Sequence, residues 1–265
     1  MRITMLGSGT SSGVPRIGGV DGAGDWGACD PADPRNRRRR VSVLVEHGGK
    51  TILIDTGPDL REQLLSARVR HLDAVLLTHD HADHAHGIDD LRQVFHAMGV
   101  PVACHASAAT WQVLRRRFDY VFEGTEFYPP TCTATTLDGP MRVGGMLVTP
   151  FAQNHGNIDS TGFRIEADGS AFAYSTDVKA LDARADVALA GLELWIVDAL
   201  RHHPHPTHSH LAQTLGWIAH YRPARAVLTH MDQSMDYATL VAALPAGVEP
   251  GYDGLIIDLG GERRR

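Results

Sequence analysis

The chain has 265 residues, 43% of them hydrophobic and 21% charged, with a formal charge of −6, the balance of a globular protein with a sizeable core and no general attraction to long nucleic acids. No apolar run approaches the roughly 18 residues needed to cross a bilayer, and the opening MRITMLGSG lacks the cationic-then-apolar order of a leader, so neither a membrane contact nor a signal peptide is expected. Cys29, Cys104 and Cys132 are odd in number and scattered, which points to a reducing compartment and a cytoplasmic enzyme.

Taken in chain order, RITML, VSVLVE, KTILID and AVLLT read as strands in the first third. The long loop of residues 8–40 interrupts the opening hairpin. It is rich in Gly, Pro, Asp and Arg and ends in Arg37–Arg40; loops of this length are functional or disordered. Between the last two strands PDLREQLLSAR has helical spacing, with Pro58 expected at the first helical position. IDDLRQVFHAMG is expected to be a helix ending at Gly99, followed by strand PVACH and helix SAATWQVLRRRF. LVTPFAQ, TGFRIEA and SAFAYST read as strands, with a turn at Asp168-Gly169. LELWIVDA, helix SHLAQTLGWIAHY, strand ARAVLT and helix DYATLVAAL close the chain. The order predicts one α/β domain over residues 1–265, built from two stacked halves.

The chain has sixteen histidines, nine of them clustered at residues 79–86 and 202–210. In AVLLTHDHADHAHG, His79, His81, Asp83 and His84 follow directly on a buried-looking strand. Imidazole and carboxylate suit zinc, manganese or iron, and this spacing lets two pairs point to two neighbouring metals. His155, Asp177 and His230 each stand where a later apolar run stops. Alone, any of them reads as a capping or surface residue; together they occupy C-terminal strand ends, where α/β sheets gather their sites.

With H-x-H-x-D-H at 79–84, then His, Asp and His in that order, and with LGSGT, ILIDTG and LTHM around them, the chain resembles the metallo-β-lactamase superfamily across nearly its whole length. The resemblance implies a four-layer αβ/βα sandwich. It also implies His79, His81 and His155 around one divalent metal (Zn or Mn, with Fe fitting too), Asp83, His84 and His230 around a second, and Asp177 bridging. Asp55 corresponds to an aspartate behind the ligands that orients the ligand loop. Two such metals, about 3.5–4 Å apart, lower the pKa of a shared water and present hydroxide at neutral pH.

His208, in T-H-S-H before a helix, resembles the extra histidine shared by tRNase Z-type and cyclic-phosphate phosphodiesterases. As imidazolium it stabilises a phosphoryl oxygen or protonates the departing alkoxide, and it joins Asp83 as a catalytic residue. The alternative is a water-exposed histidine at a helix start. LGSGTSSGVPRIG, HGNIDSTGFRI and PHPTHSH look most like the phosphodiesterases of phosphonate degradation, which open a ribosyl 1,2-cyclic phosphate. The expected activity is therefore hydrolysis of a small or cyclic phosphodiester by metal-bound hydroxide, in a protein for which the superfamily suggests a homodimer. Some relatives hold a structural zinc on several cysteines of the first long loop; here that loop offers only Cys29.

Other readings stay open: tRNA 3′ processing, a glyoxalase II-like thioesterase, and a metal-binding module without catalysis. No basic arm for gripping tRNA is evident between Asp83 and His230. Arg37–Arg40 reads as a solvated loop end or as a contact to substrate phosphate. Arg115–Arg117 and Arg263–Arg265 read as a helix face and a tail. His202, His203, His205 and His210 read as packing or surface residues. Gly7 and Gly9 are expected at a tight turn, and Gly162 at a close backbone approach or an ordinary turn.

Overall fold

The protein is seen in a computed structural model that describes residues 1–260; the tail Arg263–Arg265 lies outside the described residues. The described strands form two seven-stranded sheets. In the first, Ile256–Asp258, Arg2–Gly7, Ser42–His47 and Lys50–Ile54 pair antiparallel in that order, and Ala74–Leu76, Val102–Ala106 and Cys132–Thr136 continue it in parallel. In the second, Met141–Val143, Met146–Asn154, Asp159–Ala167 and Ser170–Ser175 pair antiparallel, and Leu194–Asp198, Arg225–Thr229 and Val248–Pro250 continue in parallel. Each half is a meander followed by parallel crossovers.

The strand period of two divides the apolar residues between faces. Ile3, Val45 and Ile54 from one sheet meet Val148, Phe163, Phe172 and Ile196 from the other in a shared core. On the outer face of the first sheet Leu44, Leu53 and Val75 pack under helices Leu60–Ser66, Leu91–Met98 and Ala108–Arg117. On the second, Ala173, Trp195 and Val197 pack under Ala183–Leu189, Leu211–Tyr221 and Tyr237–Ala243. The result is the expected helix–sheet–sheet–helix sandwich, in which each fully buried aliphatic or aromatic side chain contributes about 1.5–3 kcal/mol. Among the described residues no helix is long and apolar enough to cross a membrane.

Several local expectations shift. The helix expected from Pro58 begins at Leu60, and Pro58 lies in the preceding turn. Asp59 makes no cap bond, because its Oδ2 accepts from Arg40 N at 2.8 Å and pairs with the Arg40 guanidinium at 2.9 Å. Gly99 ends its helix as expected, in the left-handed region at φ 73. The arginine run divides: Arg37 is exposed, whereas Arg38 to Arg40 are drawn into protein contacts. Arg38 is only 2% exposed and donates to the carbonyls of Met235 and Asp232 and to Asn36 Oδ1. Arg39 pairs with Asp253, and Arg37 lies over the Trp26 ring.

The long loop is thereby fastened to the segment after His230. The buried Cys29 thiol sits 3.7 Å from Arg38 Nη1, and burial raises its pKa. Gly7 and Gly9 serve close packing against the Arg38–Arg40 backbone, not a tight turn: a Cβ on Gly7 would overlap the carbonyl of Arg40. Gly162 is a close approach too, with a Cβ there meeting Gln153 Oε1 at 2.7 Å.

Candidate metal centre

The site lies where the strands of the two sheets end. His79 follows Ala74–Leu76 by way of Leu77 and Thr78, and Asp55 follows Lys50–Ile54. His155 follows Met146–Asn154, Asp177 follows Ser170–Ser175 by way of Thr176, and His230 follows Arg225–Thr229. Asp55, Asp177 and His230 all adopt positive φ, at 65, 52 and 58. Asp and His are among the non-glycine residues that tolerate this region, and such backbone strain gathers at functional sites. His81 caps the short helix Ala82–Ala85, which turns Asp83 and His84 back toward the sheet.

The donor atoms converge in two groups around Asp177. Its Oδ1 lies 3.7 Å from His79 Nε2 and 3.4 Å from His155 Nε2, while His81 Nδ1 is 3.4 Å from His155 Nε2. Its Oδ2 lies 3.0 Å from His84 Nε2 and 3.3 Å from His230 Nε2. Asp83 Oδ2 completes the second group, 3.3 Å from His84 Nε2 and 3.5 Å from His230 Nε2. The donor atoms of His79, His81, His155 and Asp177 lie within 4.8 Å of one another, as do those of Asp83, His84 and His230, and those of Asp177, His208 and His230.

These donors fit divalent cations. His79 Nε2, His84 Nε2 and His230 Nε2 are buried and have no hydrogen-bond partner among the described residues, an arrangement that costs about 1–3 kcal/mol per group unless something else satisfies it. For His84, His79 and His155 the other ring nitrogen explains the orientation, whereas His230 Nδ1 has no partner among the described residues. His84 Nδ1–H donates to Asp55 Oδ2 at 2.7 Å, His79 Nδ1–H to Thr78 Oγ1 at 3.0 Å, and His155 Nδ1–H to the Thr207 carbonyl at 2.8 Å. Each ring thus keeps an Nε2 lone pair for a cation, the usual support behind a ligating histidine.

Electrostatics favour the same occupant. Burial opposes ionisation of Asp177, but His230, His84 and His79 outweigh it and hold the carboxyl well below its ordinary range. Burial likewise works against charge on Asp83, and His84 and His230 again prevail, leaving it ionised. Burial pushes His79 and His155 down into the neutral, ligating form. His84 and His230 are held up against burial by the surrounding carboxylates, His230 to about 9. Divalent cations would take the place of the protons on His84 and His230 beside these carboxylates, since a ligating imidazole must be neutral.

His208 is buried, not exposed at a helix start. Its Nε2 lies 3.7 Å from Asp177 Oδ1, and its ring stacks on His230 with centroids 4.7 Å apart. Nδ1–H donates to Asp198 Oδ2 at 3.0 Å, and Asp198 is fully buried. Asp198 did not stand out in the sequence, although it ends an apolar run as Asp177 does. Arg117 lies on a helix face as expected, and from there it donates to the Asp80 carbonyl at 2.6 Å and pairs with its carboxylate, bracing the loop between His79 and His81. His202 and His203 are exposed, and His205 and His210 half-buried. The exposed His81 marks the open side of the cluster.

Residues 50–231 match the family described as the beta-lactamase superfamily domain. The chain superposes on a solved diphosphatase of the PhnP family with a TM-score of 0.87 and 34% identity, covering 97% of both chains. An octanoyltransferase of Porphyromonas gingivalis is 35% identical over 273 residues, 99% of this chain and 53% of that protein. A ribonuclease Z of Bradyrhizobium sp. (strain ORS 278) is 33% identical over 139 residues, 49% of this chain and 45% of that protein. The chain spans about half the length of these curated relatives. With the strand-end histidines and aspartates, the sandwich and the similarity in agreement, the chain belongs to the β-lactamase superfamily and, within it, to the PhnP family.

Proposed function

We propose that the protein is a phosphodiesterase that uses two divalent cations, Zn or Mn with Fe also fitting, to hydrolyse a small or cyclic phosphodiester of the 5-phosphoribosyl 1,2-cyclic phosphate kind. His79, His81 and His155 would hold one cation and Asp83, His84 and His230 the other, with Asp177 between the two groups. When bound, such cations supply Lewis acidity to a phosphoryl oxygen and acidify a water toward neutral pKa.

The observation that carries the phosphodiester reading is His208 on its buried Asp198. A carboxylate at Nδ1 fixes the ring and holds a proton on that nitrogen, turning Nε2 toward the cluster. There it stabilises the charge on a phosphoryl oxygen and delivers a proton to the departing alkoxide. Asp83, ionised and only partly buried, accepts a hydrogen bond from the attacking water and orients it. A thioester leaving group, with its acidic thiol, has far less need of such a proton.

Hydrolysis of a diphosphate is the second reading, favoured by the 34% identity to the solved diphosphatase over 97% of both chains. It uses the same residues on a phosphoanhydride. tRNA processing has weaker support, since the ribonuclease Z similarity reaches only 49% of the chain.

Metal-stripped protein, resupplied with Mn or Zn, is assayed on bis(p-nitrophenyl) phosphate, on a nucleoside diphosphate conjugate and on S-lactoylglutathione. Metal-dependent cleavage of the phosphodiester without thioester cleavage supports the proposal and leads to cyclic ribose phosphates as the next substrates. Faster diphosphate cleavage moves the assignment to the second reading. Thioester cleavage alone would sink both.

A further inference from the structure

Two adjacent imidazoles at the edge of the cluster are connected in opposite senses. His208 gives its Nδ1–H to a carboxylate, which leaves Nε2 as the atom that faces the cluster. His205 does the reverse: its Nδ1 accepts from Thr207 N and from Thr207 Oγ1, both at 3.3 Å. In neutral imidazole an accepting Nδ1 requires the proton on Nε2, so His205 carries a fixed Nε2–H donor. Burial and the neighbouring His208, Arg201 and Lys179 disfavour its cationic form.

His205 also continues the ring packing outward from the centre. His230 stacks on His84 with centroids 5.8 Å apart, His208 on His230 at 4.7 Å, and His205 lies against His208 at 5.0 Å. The loop that carries it is held from two sides. Lys179 Nζ donates to the His205 carbonyl at 2.5 Å, and the Thr207 carbonyl receives the His155 Nδ1–H at 2.8 Å. His205 is half-buried, so its free edge is accessible to a ligand.

We propose that His205 is a substrate-binding residue that donates Nε2–H to a non-bridging phosphoryl oxygen beside His208. This rests on a phosphoryl substrate at the centre. The two histidines divide the work: His205 binds the anion with an unchanging donor, and His208 moves the proton. Lys179 acts as a positioning residue through the His205 carbonyl.

The test uses metal-loaded protein with inorganic phosphate as the probe, its binding measured by calorimetry with metal content determined in parallel. Loss of one hydrogen bond to an anion predicts about ten- to hundredfold weaker phosphate binding in His205→Ala at unchanged metal content. His205→Gln, which keeps an N–H donor, is expected to recover most of it. On bis(p-nitrophenyl) phosphate His205→Ala should raise KM while kcat changes little. Long-range proton–nitrogen NMR correlation of the unmodified protein should show the Nε2–H tautomer.

Unchanged phosphate binding in His205→Ala, or an Nδ1–H tautomer, overturns the proposal. So does a loss of phosphate binding that occurs only together with loss of metal, which would make His205 a support for Thr207 and His155. If the protein cleaves no phosphodiester while phosphate binding still depends on His205, the proposed activity fails and this inference stands.

Discussion

His84 Nδ1–H donates to Asp55 Oδ2 across 2.7 Å, and both side chains are completely buried. Burial raises the Asp55 pKa, while His84 and Thr78 act in the opposite direction. The same carboxylate accepts from Thr78 N at 2.8 Å and from Thr78 Oγ1. Through Thr78 it also orients His79, so one aspartate sets a ligating ring in each metal group. Asp55→Asn puts an amide in that place, which can offer an N–H to His84 Nδ1 and move the ring proton onto Nε2. Metal affinity should fall about 10–100-fold with the fold retained, read as metal equivalents surviving dialysis against a weak chelator. Full retention would remove the orienting role.

The place of Asp177 between the two groups gives a sharper metal prediction. Its two oxygens face different ligand groups, so Asp177→Ala should weaken both sites. Metal analysis is expected to fall from close to two equivalents in the unmodified protein to well below one. Both equivalents retained would exclude a bridge.

His208 and Asp198 should separate chemistry from metal binding. His208→Ala is expected to lower kcat on a phosphodiester about 10²–10⁴-fold, the usual range for a lost general acid, at unchanged metal content. Asp198→Asn should lower kcat in the same direction, because the Nδ1–H of His208 loses its carboxylate. A leaving group that needs no proton, such as p-nitrophenolate, should suffer less in both variants than an alkyl alkoxide. Equal loss on the two leaving groups would make His208 an electrostatic contact and not a proton donor.

Where a polar residue ends an apolar run, the sequence made the site visible: His79 after AVLLT, Asp177 after AFAYST and His230 after ARAVLT are read by the same pattern that marks their strands. Asp198 follows that pattern too, yet a single acid inside LELWIVDA gives no sign of the histidine ten residues on that it must face. Arg117 and Thr207 act across the fold, through contacts that no local spacing encodes. Among elements, Cys132–Thr136 was missed because a Thr-rich edge strand with one fully buried residue has no apolar alternation to detect. Met141–Val143, Val248–Pro250 and Ile256–Asp258 are three-residue strands, too short to carry a period. Arg38 misled because side-chain charge suggests solvent or phosphate, whereas backbone carbonyls at Met235 and Asp232 can take a buried guanidinium.

Asp236 predicts how the long loop responds to acid. Its Oδ2 accepts from Thr239 N and Oγ1, capping helix Tyr237–Ala243, and its Oδ1 accepts from Asp30 N and Asn36 Nδ2. Burial alone would raise its pKa, but these donors outweigh it and bring it from 3.8 to about 2. A folded-state pKa below the unfolded one contributes stability that is present above about 3.8 and is lost as pH falls through about 2. Asp236→Ala should therefore lower stability at neutral pH by about 1–2 kcal/mol, the range for a lost N-cap. The difference from the unmodified protein should shrink between pH 4 and 2. Denaturant unfolding at a series of pH values reads this directly, and a difference that stays constant down to pH 2 would place the stabilisation elsewhere.

Gly57, the last residue of ILIDTG, predicts a coupling between that motif and the metal centre. Thr56 N donates to the His84 carbonyl and Gly87 N to the Thr56 carbonyl, each at 2.7 Å, so this turn grips the ligand helix on both sides. A Cβ on Gly57 would overlap the carbonyl oxygen of Asp83 and lie 3.5 Å from Arg40 Cβ. Neither the Asp83 backbone nor the Arg40 stem, fixed by Asp59, can retreat easily. Overpacking of this kind costs about 1–3 kcal/mol. Because the displaced residue is Asp83, Gly57→Ala should also weaken the group formed by Asp83, His84 and His230 more than the group around His79. Metal titration should then resolve one site near its original affinity and one markedly weaker, and equal weakening of both would mean the strain spreads through Asp177 instead.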